Sequence, residues 1–238
     1  MNLVLDIGNT CCKTAVYSEN TEVESAVSAF SVPNIKTLID RFPDSARMYA
    51  CVADIEESQI HFLKENGFRN VRQCARMPVE SIYKTPETLG DDRLAAVCGA
   101  AFLNQHAFPF LVIQIGTALT FDYVDAHGRY TGGAISPGIS LRLKALHNFT
   151  GRLPLVEPDK DFSMMGLTTK DSILSGVLSG CLAEIRFRIA EFQKNTNKAS
   201  VFISGGDQRY FDLSNENNIF AVPDIVLVGL NHLLNLNP

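Results

Sequence analysis

Apolar and polar positions alternate along this chain in two rhythms, one of strands and one of helices. Leu3-Val4-Leu5 and Ile7 form a short β-forming run broken by Asp6 and followed by Gly8-Asn9-Thr10. A buried strand ends where the chain can turn, which puts Asp6 at the strand's C-terminal end and Gly8 at the turn. Cys12 to Tyr17 reads as a second strand, antiparallel to the first, and Val23 to Val32 alternates as a third. Pro33 and Asn34 open a short helix through Phe42, with Ile35, Leu38 and Ile39 on one face. Met48 to Val52 predicts a buried strand, Glu56 to Asn66 an amphipathic helix stopped by Gly67, and Val71 to Cys74 a short strand. The succession βββαβαβ is that of a mixed α/β protein.

Residues 77–90 carry Pro78, Pro86 and Gly90 and read as loop. The run from Asp91 to Asn104 predicts a helix, with two acids where the helix dipole favours them. Strands follow at 111–116, 118–124 and 129–135, with a hairpin turn at Ala126-His127-Gly128. Pro137-Gly138 introduces a helix reaching about His147, and 148–165 shows no regular pattern. Residues 169–193 form the longest helical stretch, with Gly176 and Gly180 as points for a kink. Val201 to Ile203 is a strand running into Ser204-Gly205-Gly206-Asp207, and Asp224 to Leu234 is an apolar closing helix.

The opening motif has a second copy. Leu111-Val-Ile-Gln-Ile-Gly116-Thr117 repeats Leu3-Val-Leu-Asp-Ile-Gly8-Asn9 at an offset of 108 residues, with Gln114 in the place of Asp6. Two strand–Gly–turn–strand units in one chain read as two similar halves, 1–108 and 109–238. Chance similarity of two hairpins is the bland alternative. Facing loops of this kind could grip a triphosphate from both sides.

The candidate chemistry sits at these loops. Backbone N–H groups around Gly8 and the Thr10 hydroxyl form a cluster suited to phosphate oxygens, and Gly8 can take positive φ or let a ligand approach closely. Asp6 could hold a divalent metal, directly or through water. The plain alternative is a strand capped by an Asx turn. Asp91 and Asp92 invite the same comparison: both could be helix-start acids, whose loss costs about 1 kcal/mol or less, or one could cap while the other serves chemistry. The pair Gly205-Gly206 lets a helix or a ligand ring pack close, or merely makes a tight turn.

Composition narrows the classes. Hydrophobic residues make up 46% of the 238 and charged ones 20%, as in a soluble globular protein with room for a proper core. The net charge of −5 argues against nucleic acid or an anionic membrane surface as partner. If phosphate binds, backbone amides and a metal must do most of the work. Cys11, Cys12, Cys51, Cys74, Cys98 and Cys181 show no CxxC pair, and no secretory leader precedes them, so free thiols in a reducing, cytoplasmic setting are expected. No apolar run approaches the length of a membrane span.

The chain resembles the type III pantothenate kinases of the acetate and sugar kinase and actin superfamily. The resemblance rests on Asp6-Ile7-Gly8-Asn9-Thr10 with Lys13, on Tyr83 followed by Gly90-Asp91-Asp92-Arg93, and on Gly116-Thr117-Ala118 with Thr120. It continues through Gly132-Gly133, Pro137-Gly138, Leu153-Pro154, Gly166 to Thr169, Ser175-Gly176 and Ser204-Gly205-Gly206. It implies two ribonuclease-H-like halves with a nucleotide cleft between them, and ATP-dependent phosphorylation of pantothenate at its primary hydroxyl. It implies that Asp6, Ile7, Gly8, Asn9, Thr10, Cys11, Cys12, Lys13 and Thr117 bind ATP, with Asp6 orienting Mg²⁺ through water. Asp92 matches the family's general base, and Tyr83, Gly90, Asp91, Asp92 and Arg93 its pantothenate site. Thr169 matches a position that reaches pantothenate from the partner subunit of a homodimer, whose interface would use the helices at 91–106 and 169–193.

One position departs from the pattern. The family's Asp-x-Gly-Thr motif uses its Asp to bind an activating K⁺ or NH₄⁺, and here that position is Gln114. An amide oxygen still coordinates K⁺ but brings no charge. Two rival readings differ in class: another small-molecule kinase or phosphatase of the superfamily, and a silent ATP-binding relative or actin-like assembler. Retention of both Asp6 and Asp92 disfavours the second, because a pure binder needs no base.

Overall fold

The computed structural model describes residues 1–196, 199–213 and 218–238. In it β1 (Asn2–Ile7) is the middle strand of a sheet. It earns that place because Leu3, Val4, Leu5 and Ile7 are apolar on both faces and fully buried. β2 (Cys12–Ser18) and β3 (Thr21–Ser28) extend the sheet antiparallel on one side. After α1 (Val32–Arg41), β4 (Ala46–Cys51) pairs parallel on the other side, and after α2 (Glu57–Glu65), β5 (Phe68–Asn70) pairs parallel to β4. The order is β3-β2-β1-β4-β5. Ile35 and Ile39 of α1 and Leu63 of α2 cover the face made by Leu3, Leu5, Ile7, Cys12 and Val16.

The third strand stops earlier than its alternation suggests. Val32 already belongs to α1, where a proline in the first turn presets helical φ. The strand expected at Val71–Cys74 lies three residues earlier, as β5. Asn70 accepts a hydrogen bond from Arg72 N at 2.9 Å and its own N–H donates to Gln73 Oε1 at 2.8 Å, so the chain turns into a 3₁₀ turn at Val71–Gln73. A short β6 (Glu80–Ser81) pairs with Arg129 and Tyr130, and α3 (Asp91–Leu103) follows.

The second unit repeats the first. β7 (Phe110–Ile115), β8 (Ala118–Val124) and β9 (Arg129–Pro137) correspond to β1–β3. α4 (Ile139–Asn148) and α5 (Thr169–Asn195) come next. β10 (Ser200–Ser204) and β11 (Ile219–Ala221) then pair parallel on the far side of β7, giving the order β11-β10-β7-β8-β9, with the short β6 at the outer edge of β9. Read from its third strand, each sheet runs third, second, first, fourth, fifth. α5 is one helix of 27 residues with no break at Gly176 or Gly180. Its buried row of Ile173, Val177, Leu178, Cys181, Ile185, Ile189 and Phe192 keeps it on the sheet residues Leu111, Ile113, Leu119 and Phe121.

The chain divides into Met1–Phe108 with Gly128–Tyr130 and Asp224–Pro238, and Pro109–His127 with Thr131–Pro223. The closing helix α6 (Ile225–Leu236) thus groups with the first unit. Its packing explains why. A Cβ on Gly229 would lie 1.9 Å from Ala95 O, and one on Gly99 would lie 2.3 Å from Ile225 O. Only glycines let the α3 and α6 backbones approach so closely. Asn2 fastens the helix to β1, donating to Asn231 Oδ1 and Asn235 Oδ1, both at 2.8 Å.

Candidate active site

The first loop grows out of β1. Asp6 and Lys13 are direct partners across the β1–β2 ladder. Gly8 N donates to Cys11 O at 3.0 Å and closes the turn between them. Gly8 does not adopt positive φ, so its reason is space: a Cβ there would meet Cys11 O at 3.2 Å. Asn9 and Thr10 are exposed on the loop, Cys11 is half-exposed, and Ile7 and Cys12 are buried. Burial, followed by the charge of Asp6, pushes the Cys12 thiol up to about 12, which makes it packing rather than chemistry. All six cysteines are free thiols.

The start of α3 separates its two acids. Gly90 is the N-cap, and a Cβ there would sit 2.5 Å from Asp92 Oδ1, so glycine clears room for that carboxylate. Asp91 turns inward. It is 4% exposed and accepts from Cys51 N at 3.2 Å, Asn70 Nδ2 at 2.7 Å and Arg72 Nε at 2.5 Å. A carboxylate so engaged ties β4, the turn after β5 and α3 together, which is more than a helix cap does. Arg93 is buried beside it, and Tyr83 lies with its ring 5.8 Å from that of Tyr130.

Asp92 keeps to the side of Asp6. Its carboxyl is raised above the usual carboxylate range by burial, against the lowering effects of the Arg93 N–H at 2.7 Å and the Arg93 charge. Asp6 is raised to about 7, first by burial and then by Asp92, with Lys13 lowering it and Asp224 raising it further. Asp224 escapes motif reading altogether. It is the N-cap residue of α6 and takes the Lys13 ammonium in an ion pair. Asp6 thus feels two further carboxylates and one ammonium of the first unit.

In the second unit, Gly116 N donates to Ala118 O at 3.1 Å and Gly138 N to Thr117 O at 3.1 Å. A Cβ on Gly138 would fall 2.0 Å from Gly116 O, and one on Gly205, at φ +103°, 2.3 Å from Ile115 O. Gly138 before α4 and Gly205 after β10 therefore both press on the chain from Ile115 to Thr117, where Thr117 is exposed. Gln114 faces Thr120 across the β7–β8 ladder, and its buried Nε2 and the Thr120 Oγ1 lack a hydrogen-bond partner among the described residues. Thr169 stands at the start of α5, on a groove of about 760 Å³ between α4 and α5 lined by Leu146, Phe149, Ile173 and Val177.

The two sheets of like strand order, each with a glycine loop after its first strand, define an actin-like α/β fold of two ribonuclease-H-like halves. Solved structures of that fold cover nearly the whole chain. A Baf family protein from Campylobacter jejuni has a TM-score of 0.66 at 21% identity, covering 99% of this chain and 98% of its own. The polyphosphate/ATP-glucomannokinase from Arthrobacter sp. strain KM has a TM-score of 0.53 at 12% identity, covering 100% and 99%. The family model of type III pantothenate kinase matches residues 2–191. A type III pantothenate kinase from Phocaeicola vulgatus is 39% identical over 100% of this chain and 99% of its own. The chain belongs to the type III pantothenate kinase family.

Two outcomes follow from this geometry. Asp91→Ala leaves Arg72 and Asn70 facing an empty carboxylate site and is expected to cost on the order of 3 kcal/mol, well above a lost cap, in urea unfolding. Asp6 behaves oppositely. Its folded value lies above the unfolded 3.8, so its contribution to stability is complete below 3.8 and is lost as pH rises through about 7. Without nucleotide or metal, Asp6→Asn should therefore gain in thermal midpoint over wild type from pH 4 to 7, with no further gain above. A constant difference across that range would refute the assignment.

Proposed function

We propose that this chain transfers the γ-phosphoryl group of ATP to the primary hydroxyl of pantothenate, the first step of coenzyme A synthesis. The observation that carries the reading is the meeting of Asp6 and Asp92 in one anionic cluster beside the first glycine loop, in a member of this kinase family. Phosphoryl transfer needs positioning and charge neutralisation more than covalent help. The turn from Asp6 to Lys13, Ile7 and the two cysteines included, cradles the phosphates with backbone N–H groups, and Thr117 is the phosphate ligand that the second unit's own loop offers. We read 1–108 and 109–238 as the duplicated halves, the last helix having joined the first unit.

Asp92 takes the proton of the pantothenate hydroxyl as its oxygen bonds to the γ-phosphorus and the bond to the bridging oxygen of ADP breaks. A raised carboxyl suits that task, since its proton affinity lies nearer neutral pH. Arg93 and Tyr83 bind pantothenate, the guanidinium matching its carboxylate, with Gly90 shaping the site. Asp6 fits a divalent cation. Its oxygens carry charge that burial and neighbouring acids penalise, yet no cluster of three metal-ligating side chains exists among the described residues. Mg²⁺ suits such a site, because it keeps waters and takes phosphate oxygens, and it supplies charge to the transferring group. Asp92→Asn should lower turnover by about 10²–10⁴ with ATP and pantothenate binding retained. A loss of binding with turnover per bound substrate intact would contradict the role.

Gln114 changes the monovalent cation site. Its Oε1 and the Thr120 hydroxyl are neutral oxygens, so a K⁺ or NH₄⁺ ion there gains no carboxylate charge. Activation by K⁺ should be weak or ATP-dependent with high half-saturation, and Gln114→Asp should tighten it. A wild-type enzyme inactive without K⁺ and saturating at low concentration, in ammonium-free Tris, would contradict this.

A homodimer completes the reading. Phe149, Met164, Met165 and Leu167 are 87%, 83%, 78% and 92% exposed around the α4–α5 groove that holds Thr169. Apolar residues so bare belong in an interface. α3 is not part of it, because Ala95 to Ala101 are buried and α6 packs on α3. Light scattering should return a dimer, and Leu167→Asp with Phe149→Asp should give monomers of low activity. Fully active monomers would contradict the proposal. No helix among the described residues is long and apolar enough to cross a membrane, and the reading places the enzyme in the cytoplasm, without nucleic-acid partners.

A further inference from the structure

Lys13 stands directly opposite Asp6 on the β1–β2 ladder. Cross-strand partners lie close enough for their side chains to meet, and opposite charges there attract. Yet no ion pair joins the two among the described residues. The Lys13 ammonium pairs instead with Asp224. The chain brings Asp224 there from 211 residues away.

Asp224 is built for this contact and not for its own helix. It occupies the N-cap of α6, where an Asp side chain ordinarily accepts a bond from its own first turn, but it makes no such bond. Its backbone is held firmly. Ile225, Val226 and Leu227 are buried, and Gly229 seats α6 against the backbone of α3. The two side chains are 22% and 29% exposed, so the pair lies at the edge of the site and is reachable by a ligand.

We infer that Asp224 is a positioning residue that draws Lys13 away from Asp6, leaving Asp6 open to a divalent cation and the ammonium turned toward the phosphates. This rests on the reading of Asp6 to Lys13 as the ATP loop. Without Asp224, the ammonium has one strong anionic partner left within the cluster at ladder distance, Asp6, and a lysine bound there competes with the metal for the same oxygens. The device acts through charge placement: Lys13 contributes to phosphate binding only while a third group prevents it from cancelling Asp6.

Isothermal calorimetry of ATP binding, without pantothenate and with either Mg²⁺ or EDTA, tests this with no turnover. The quantity read is the gain in ATP affinity that Mg²⁺ provides. Asp224→Asn keeps the side chain's shape and should reduce that gain roughly tenfold, the scale of one charge-assisted contact. Asp224→Glu should retain most of it. Adding Lys13→Met to Asp224→Asn should restore the gain, because no amine remains to occupy Asp6, although ATP binds more weakly throughout. An Asp224→Asn protein with an undiminished Mg²⁺ gain, or a double variant that fails to recover it, overturns the inference. Lys13→Met alone separates the two levels of the argument. If it leaves ATP affinity unchanged with and without Mg²⁺, the ATP-loop reading falls and this inference with it. If it weakens ATP while Asp224→Asn does not alter the Mg²⁺ gain, only the inference falls.

Discussion

The structure depends on one electrostatic constraint: carboxylates come together at the end of β1 and the starts of α3 and α6. Asp6 sits at the end of a strand buried on both faces, near Asp92 and Asp224, with Lys13 as the cation paired into the group. Left alone, that cluster resists ionisation, and Asp6 rises to about 7. A triphosphate would only add negative charge. The arrangement makes sense when a cation and backbone N–H groups share the site, because each then removes a penalty the protein has built in. Stability is given up at Asp6, and on the proposed reading the energy is recovered when the ligands arrive.

Holding like charges close requires a stiff frame, and the first unit supplies it. β1 cannot move without exposing Leu3, Val4, Leu5 and Ile7. α3 and α6 touch backbone to backbone at Gly99 and Gly229, which fixes Asp92 at one helix start and Asp224 at the other. Asp91 locks the α3 start to β4 and to Arg72. The two adjacent aspartates therefore divide the work: one builds the platform and the other is presented on it. The second unit uses the same sheet order with different residues, and its loop at Gly116 is shaped by close approach of Gly138 and Gly205.

Much of this was legible along the chain, for physical reasons that also mark the limits. The strand–Gly–turn unit and its copy 108 residues on announce two sheets of one design, because alternation and glycine placement are local properties. Asp91 and Asp92 were indistinguishable as a sequence pair, since which one turns inward depends on Asn70 and Arg72 meeting the helix start in space. Gly8 suggested a left-handed turn and instead serves by its lack of a side chain. Gly176 and Gly180 suggested points for a kink, and α5 runs through both as one helix. Asp224 gave no signal at all, because its partner is remote and its place before an apolar run reads as an ordinary helix cap.

The central claim is that this cluster drives phosphate transfer to pantothenate and not to water or to a sugar. The most direct measurement is ADP release by the purified protein in a coupled assay, with pantothenate, ATP and Mg²⁺ each omitted in turn and the product identified by mass. The account predicts ADP and phosphopantothenate in equal amounts, and neither when any of the three is absent. ADP release at the same rate with and without pantothenate would contradict it.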